Sequence, residues 1–556
     1  MADSRASDVL DKHERMRQQR VHFETTWQDI AERMIPRKAE FRRQRGRSTD
    51  IKGERKTEKI FDAAPALALD RFAAAMHSLV TPRNQQWHNL KPRDPDLAED
   101  IEVKRYLEAV NKRLFSARYS SNFDNQVHES YFNAGAFGNM GLFIGDRLGR
   151  EIYYRCVPVE QLFFMENEFG VVDLVHREFP MTARQAAEKF GLDKLPFVIK
   201  HAAEKRPEQE FWFLHCVKPR EDADVSRRDY RGMAFVSYFV SIESRDVVSE
   251  GGFRSFPYAI SRYSVTSGEV YGRGPASLVL PDVNMLNEMN RTTIQAAQLS
   301  VLPPLLAHRD GVLDTIRLTP SAINYGGLDS NGRQMIQPMA VGGNPNIGLE
   351  LMDQKRRLIN DAFWNTLFQI LVDAPNMTAT EAMLRAQEKG ALLAPTASRI
   401  ETEYLSPCIE RELDILAAAG EIPPMPDALI EAGGLFEIEF SSPLERARRA
   451  EEGVAILRTF EQLAPMASVS GPSVFRRFNM DEASKVLAEI NGVPSSILLS
   501  DEELEQVKAQ EAQQAEMANV LQAAPVAASA AKDLAAAQSL AASQPNQMLP
   551  NLGLPA

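Results

Sequence analysis

The sequence predicts a helix-rich α+β protein. Three observations predict it: amphipathic helical spacing in the first 137 residues, a change to short strand-like runs from about residue 140 to about 265, and a return to helical patterns afterwards. With 556 residues the chain exceeds one ordinary core, and its 44% hydrophobic and 25% charged residues are those of a folded protein.

The first helix follows from Met16, Phe23, Trp27, Ile30 and Met34, which recur at three- and four-residue steps, and Pro36 ends it. A basic stretch from Arg33 to Lys59 reads as a surface loop for subunit or capsid contact, because Phe41 is its one aromatic residue and stacking on bases needs more. Helices are expected at about 63–79, after Asp100 through Val103, Leu107, Val110 and Leu114, and over Asn122 to Phe137. Then come the runs GLFIGD, REIYYRCV and QLFFMENEFGVVDLVHREF, a short helix capped by Thr182 and closed by Gly191, and strands at EFWFLHCV, MAFVSYFVSI and DVVSEGGF.

Gly272, Gly274 and Pro275 mark a junction from the strand FPYAISRY into a helix that runs to Pro303, with Pro275 pre-set for its first turn. That helix is rich in Asn, Gln and Thr. It cannot drive its own burial, so it is expected to pack beside copies of itself or to line a wet surface. A turn-rich insert to about Pro345 and a second helix, Leu349 to Leu371, complete a projecting hairpin. Beyond a loop at Asp373–Met377, a helix starts at Thr378, and Pro395 and Pro407 are expected to kink or interrupt it. Residues 443–491 again read as helical, and the Ala- and Gln-rich end as a disordered tail.

The chemistry-bearing motifs of common enzymes are missing. There is no phosphate loop, no dinucleotide fingerprint after Gly272–Arg273–Gly274, no nucleophile elbow and no histidine pair at metal-binding spacing. No catalytic, cofactor-binding or metal-binding residue is therefore assigned, and no cofactor is expected. Cys156, Cys216 and Cys408 read as core thiols. No apolar run is long enough for a membrane span. The net charge of −12 opposes tight binding to phosphates.

Several segments together resemble the head-to-tail connector, or portal, family of short-tailed bacteriophages (podoviruses): the N-terminal helix with Trp27 and Pro36, LVTPRNQQWHNL, SNFDNQVHESYFNAGAFGNMGLFIGD, FPMTARQAAEKFG, FPYAISRY with GEVYGRGPA, and TATEAMLR. They run in order from residue 23 to about 410. The resemblance implies a dodecameric ring at one capsid vertex, assembled in the host bacterial cytoplasm, through which double-stranded DNA is packaged and ejected. It implies as partners a terminase motor, a tail adaptor protein, and the major capsid and scaffold proteins. It implies a subunit with an α+β wing (1–270 and 373–440, the latter with a tunnel loop and a long kinked helix), a two-helix stem (275–300 and 346–372), a clip insert (301–345) and a helical crown (441–515); the tail is 516–556.

On that map Lys355, Arg356, Arg357, Arg385 and Lys389 are candidate DNA-facing cations and Arg309, Arg317 and Arg333 candidate clip-surface cations; salt bridges or solvated faces are the alternative for each. Rival readings are a phage tail adaptor or scaffold protein without a channel, and a DNA-processing nuclease with clustered carboxylates.

Overall fold

The apolar stripe read from the sequence is the buried face of α1 (Ser4–Met34), where Met16, Trp27, Ile30 and Met34 are each at most 2% exposed. The computed structural model describes residues 4–35, 41, 59–98, 100–147, 151–224, 226–227, 229–307, 323, 328, 331–334, 336–339, 345–366, 395–440, 453, 455–463, 465, 478–490, 504 and 507–510. The chain divides into two units, 1–98 with 106–449, and 99–105 with 450–556.

In the first unit α1 is followed by α2 (Ala64–Val80), β1 (His88–Pro92), most of α3 (Ile101–Tyr119) and α4 (Phe123–Phe137). Next come β2 (Asn139–Arg147), β3 (Glu151–Cys156), β4 (Leu162–Glu166), β5 (Val172–Thr182), α5 (Ala183–Phe190), α6 (Phe197–Lys205), β6 (Glu210–Pro219), β7 (Phe235–Ser241), β8 (Asp246–Phe253) and β9 (Tyr258–Arg262). The strands form a three-stranded sheet, β3-β2-β9, and a five-stranded sheet, β4-β5-β6-β7-β8, with antiparallel pairing throughout. The chain is therefore helix-rich α+β.

Thr182 caps α5 with a full capping box, its hydroxyl accepting from the Gln185 amide while the Gln185 side chain accepts from the Thr182 amide. Gly191 after it has a φ of 82°, the left-handed region that favours glycine. The α6 helix is an addition to the sequence reading. Its Ile199 and Ala202 join Ala186 and Phe190 of α5 over Phe211 and Phe213 of β6, a stripe too short to stand out in the sequence.

Buried polar groups tie α1 to the strands. Arg20, 2% exposed, donates to the carbonyls of Val159 (3.1 Å), Leu162 (2.8 Å) and Glu160 (3.0 Å), and its guanidinium lies 3.6 Å from the Phe163 ring centre. His13 Nε2 meets Glu178 Oε2 of β5 at 2.9 Å.

Three buried histidines, His88, His176 and His215, are held well below the usual histidine range, mainly by burial. Neighbouring positive charge adds to this, from Arg118 at His88 and from Lys189 and Arg177 at His215. They are neutral when folded and free to bind protons once unfolded, so the unfolded state gains protons as pH falls below about 6.5. Stability is expected to decline from there downward, by up to about tenfold in the folding equilibrium per pH unit for each histidine. Denaturant midpoints measured from pH 8 to pH 5.5 check this; a flat profile below 6.5 contradicts it.

After β9 the chain enters α7 (Pro275–Val301), then the short hairpin of β10 (Leu305–Ala307) and β11 (Ile336–Pro338), then α8 (Pro345–Ala362). The second helix does not run unbroken to Leu371. Phe363 is fully buried, and Trp364, half-buried, turns left-handed (φ 59°) with its indole donating to the Tyr263 hydroxyl at 3.0 Å, so α8 ends where these two rings are placed. Residues 367–394, with the loop at Asp373–Met377 and the helix expected from Thr378, lie outside the described residues.

Where the description takes up again at 395 the chain is helical, and it runs without a break through a π-helical turn at Glu401–Leu405 into α9 (Ser406–Ala418); Pro407 does not interrupt it, because the π turn just before it takes up the lost amide hydrogen bond. A short α10 (Asp427–Glu431) leads to β12 (Phe436–Phe440), which pairs antiparallel with β1, His88 opposite Phe440. Neither strand was expected from the sequence. In the second unit, 455–463 and α11 (Met480–Ile490) are helical where described, and the Phe460 and Phe478 rings meet edge-on at 5.6 Å.

Candidate functional site

Helices α7 and α8 run side by side as a hairpin. Lys355 Nζ reaches Asp282 Oδ1 at 2.7 Å, and a Cβ on Gly348 would stand 3.5 Å from the Thr293 hydroxyl, so the numbering rises along one helix as it falls along the other. The base of the hairpin is anchored by Asp62, just before α2. Asn287 Oδ1 accepts from the Phe61 and Asp62 amides (2.9 and 3.1 Å), Asn290 Nδ2 donates to the Phe61 carbonyl (2.9 Å), and Arg356 donates twice to Asp62 Oδ2 (3.0 and 2.8 Å). Part of the Asn content of α7 thus grips this chain's own backbone. The sequence carries no local signal for it, because Asp62 lies more than two hundred residues away.

Beyond that anchor α7 is bare. Its inner face buries Ala276, Val279, Val283 and Leu286, then continues through Ile294 and Val301, which are 46% and 78% exposed. A second stripe, Leu278, Met285 and Leu299, is exposed on the opposite face at steps of seven and fourteen residues, and α8 exposes Leu351 and Leu358 seven apart. Apolar groups on several faces of a helix signal cover from elsewhere.

Gly272 and Gly274 stand where α4 ends. A Cβ on Gly274 would lie 2.5 Å from the Ala134 carbonyl oxygen and 2.7 Å from that of Gly135, and one on Gly272 would lie 2.5 Å from the Gly138 carbonyl oxygen. Asn139, fully buried, bridges the two segments: its Oδ1 accepts from the Gly272 amide (2.8 Å) and its Nδ2 donates to the Gly272 carbonyl (3.1 Å). The need for glycine at these two positions is space for a crossing backbone, not a left-handed dihedral; the positive φ (72°) belongs to Gly138. Pro275 opens α7 and is buried.

Of the candidate cations, Lys355 and Arg356 are held by the carboxylates already named, with Asp353 adding a 2.7 Å contact to Arg356. Arg357 is exposed and lines a polar cavity of about 370 Å³ with Arg71, Asn360, Asp361, Asn365 and Thr366. Arg333 is exposed beside the bridge from Leu328 to Gln334. Arg309, Arg317, Arg385 and Lys389 lie outside the described residues.

One arrangement imitates hydrolase chemistry. Ser237 Oγ meets His215 Nε2 at 2.9 Å, and His215 Nδ1 meets the Tyr258 hydroxyl at 2.6 Å. All three are at most 4% exposed, and the Phe239 ring stacks flat on the imidazole at 4.2 Å, so no substrate reaches the serine. The trio satisfies buried polar groups. Among the described residues no cluster of His, Cys, Asp or Glu could hold a metal ion and no helix is long and apolar enough to cross a membrane.

Residues 6–498 match the family described as bacteriophage head to tail connecting protein. The chain is 27% identical over 517 residues to the probable portal protein of Bordetella phage BPP-1, covering 92% of each. It is 26% identical over 550 residues to the portal protein of Salmonella phage epsilon15, covering 97% of each.

Proposed function

This chain belongs to the bacteriophage head to tail connecting proteins, and from that premise we propose how its residues build a portal. Its function is that of the phage portal, the channel at one capsid vertex through which genomic DNA is packaged and ejected, and its place is the virion. The family is a structural one, and the chain is read as having no catalysis of its own.

The proposed architecture is a closed ring of twelve copies, a heterologous interface in which one flank of each subunit meets the other flank of the next. The single observation that carries it is the exposed apolar surface of the α7–α8 hairpin. Leu278, Met285, Leu299, Leu351 and Leu358 are each at least 41% exposed on a single chain, and neighbouring hairpins would cover them. On this reading 275–300 and 346–372 form the stem, 301–345 the clip, 1–270 with 373–440 the wing, and 441–515 the crown. Ring assembly takes place in the host cytoplasm with scaffold and capsid proteins; the terminase motor docks first and the tail adaptor later.

The net charge of −12 supports passage over capture, since each tight phosphate contact has to be broken as the duplex advances. Arg357 is the leading DNA-facing candidate, because no carboxylate among the described residues engages it; Lys355, Arg356, Arg385 and Lys389 complete the proposed set, and Arg309, Arg317 and Arg333 the proposed clip surface. The double variant Leu278→Glu with Met285→Glu tests the stem interface. Both side chains face away from the subunit core, so the isolated chain is expected to keep its melting temperature while light scattering shows ring mass falling to that of one chain. Intact rings in the double variant would move the interface elsewhere.

A further inference from the structure

Strands β3 and β5 and helix α5 bring together a group of cations without a countercharge. Arg177 of β5 is 5% exposed, and its hydrogen-bond partners are neutral: Gln161 Oε1, at 3.4 Å from Nε and 3.3 Å from Nη2, and the Tyr258 hydroxyl. Lys189, in the last turn of α5, places its ammonium 4.0 Å from the Phe239 ring centre and 5.8 Å from that of Phe179. The Arg177 guanidinium lies 4.6 Å from the same Phe179 ring. Arg155 of β3, exposed to solvent, adds its field to both. None of the three has a carboxylate within ion-pair distance among the described residues.

This arrangement is unfavourable as it stands. A guanidinium buried without an anion loses hydration that neutral partners restore only in part, and two further cations nearby worsen it. Lys189 is exposed along its stem but holds its ammonium near the rings, and burial there with the charges of Arg177 and Arg155 brings its pKa down to about 8. We propose that the Arg155–Arg177–Lys189 cluster, floored by Phe179 and Phe239, is a docking site for an acidic segment of a protein partner, receiving a carboxylate side chain beside an apolar one.

Charge complementarity selects the anion, and the shape selects its source. A carboxylate on a flexible side chain can reach a guanidinium that is only 5% exposed, whereas a duplex phosphate is fixed on a broad backbone and meets exposed cations in a row. The negative charge of the whole chain also repels a duplex while leaving this local cluster positive. Phe239, half-buried, offers an apolar edge that a carboxylate-bearing peptide can cover, while Phe179 beneath it is buried.

The test uses the full chain with three labelled probes: a capped peptide of glutamates flanking one phenylalanine, the same peptide with lysines for the glutamates, and a short DNA duplex. Fluorescence anisotropy is expected to show saturable, salt-sensitive binding of the acidic peptide alone. Lys189→Glu and Arg155→Glu change exposed side chains and are expected to weaken it at least tenfold with melting temperature unchanged. Arg177→Met removes the unpaired buried charge, so it is expected to weaken the peptide while keeping or raising the melting temperature. Bound peptide is also expected to move the Lys189 titration upward. Failure of the acidic peptide to bind, binding indifferent to all three substitutions, or a duplex bound through the same residues would overturn the proposal.

Discussion

Glu412→Ala is expected to destabilise the first unit by about 3–5 kcal/mol, the usual result of leaving one partner of a buried ion pair alone. Glu412 is fully buried in α9 and Arg118 is 3% exposed in α3. Arg118 Nε lies 2.9 and 3.2 Å from the two carboxylate oxygens, and Nη2 makes a further contact. The same carboxylate accepts from the Tyr154 hydroxyl of β3 (2.6 Å) and the Cys408 thiol (3.3 Å), while Arg118 reaches His88 of β1 (2.6 Å) and lies 4.6 Å from the Trp87 ring centre.

Three segments distant in sequence thus meet at one carboxylate, and Arg118 ties a fourth, β1, to it. Without it Arg118 keeps a full charge away from water. The control is the double variant Glu412→Met with Arg118→Met, which removes both charges and is expected to be less destabilising than Glu412→Ala despite the extra change. Denaturant midpoints of the soluble chain measure both. A cost below about 1 kcal/mol for the single variant would place the pair at the strength of a surface ion pair.

Gly274→Ala is expected to be the second large effect, at about 3 kcal/mol or more, and Gly274→Val to abolish soluble folding. A single Cβ there would stand within 3.0 Å of three backbone atoms, the carbonyl oxygens of Ala134 and Gly135 and the amide nitrogen of Gly138, so α4 and the start of α7 would have to separate. Gly268 provides the comparison. Its φ is 88° but nothing lies within 4 Å of an added Cβ, so Gly268→Ala carries dihedral strain alone, about 1–2 kcal/mol. Equal melting temperatures for Gly274→Ala and the parent chain would refute the close-approach account.

The contrast between these two glycines shows what was legible in the sequence. A helix with its own apolar stripe, such as α1, or its own cap, such as Thr182 at α5, declares itself in consecutive residues. Gly272 and Gly274 could be singled out as a strand-to-helix junction, but their reason could not, because the obstructing backbone belongs to residues 134–138. The pairing of β1 with β12 escaped for the same cause: His88 and Phe440 are too far apart in the chain for any local pattern.

The candidate site divides similarly. Composition marked α7 as a helix unable to bury itself, and its exposed outer half agrees with that. It did not separate Asn287 and Asn290, which hold Phe61 and Asp62, from the residues left bare. Of the three consecutive cations on α8, the sequence ranks none. Folding assigns Lys355 to Asp282 and Arg356 to Asp62, and leaves Arg357 on a cavity wall.

The central claim is that copies of this chain close into a ring around a DNA-sized hole. The direct test is negative-stain electron microscopy of the purified chain, with its mass in solution measured in parallel at several salt concentrations and with scaffold and capsid proteins supplied. Closed rings with a central opening wide enough for duplex DNA are the predicted result. A monomer or dimer that persists under all of these conditions would contradict it.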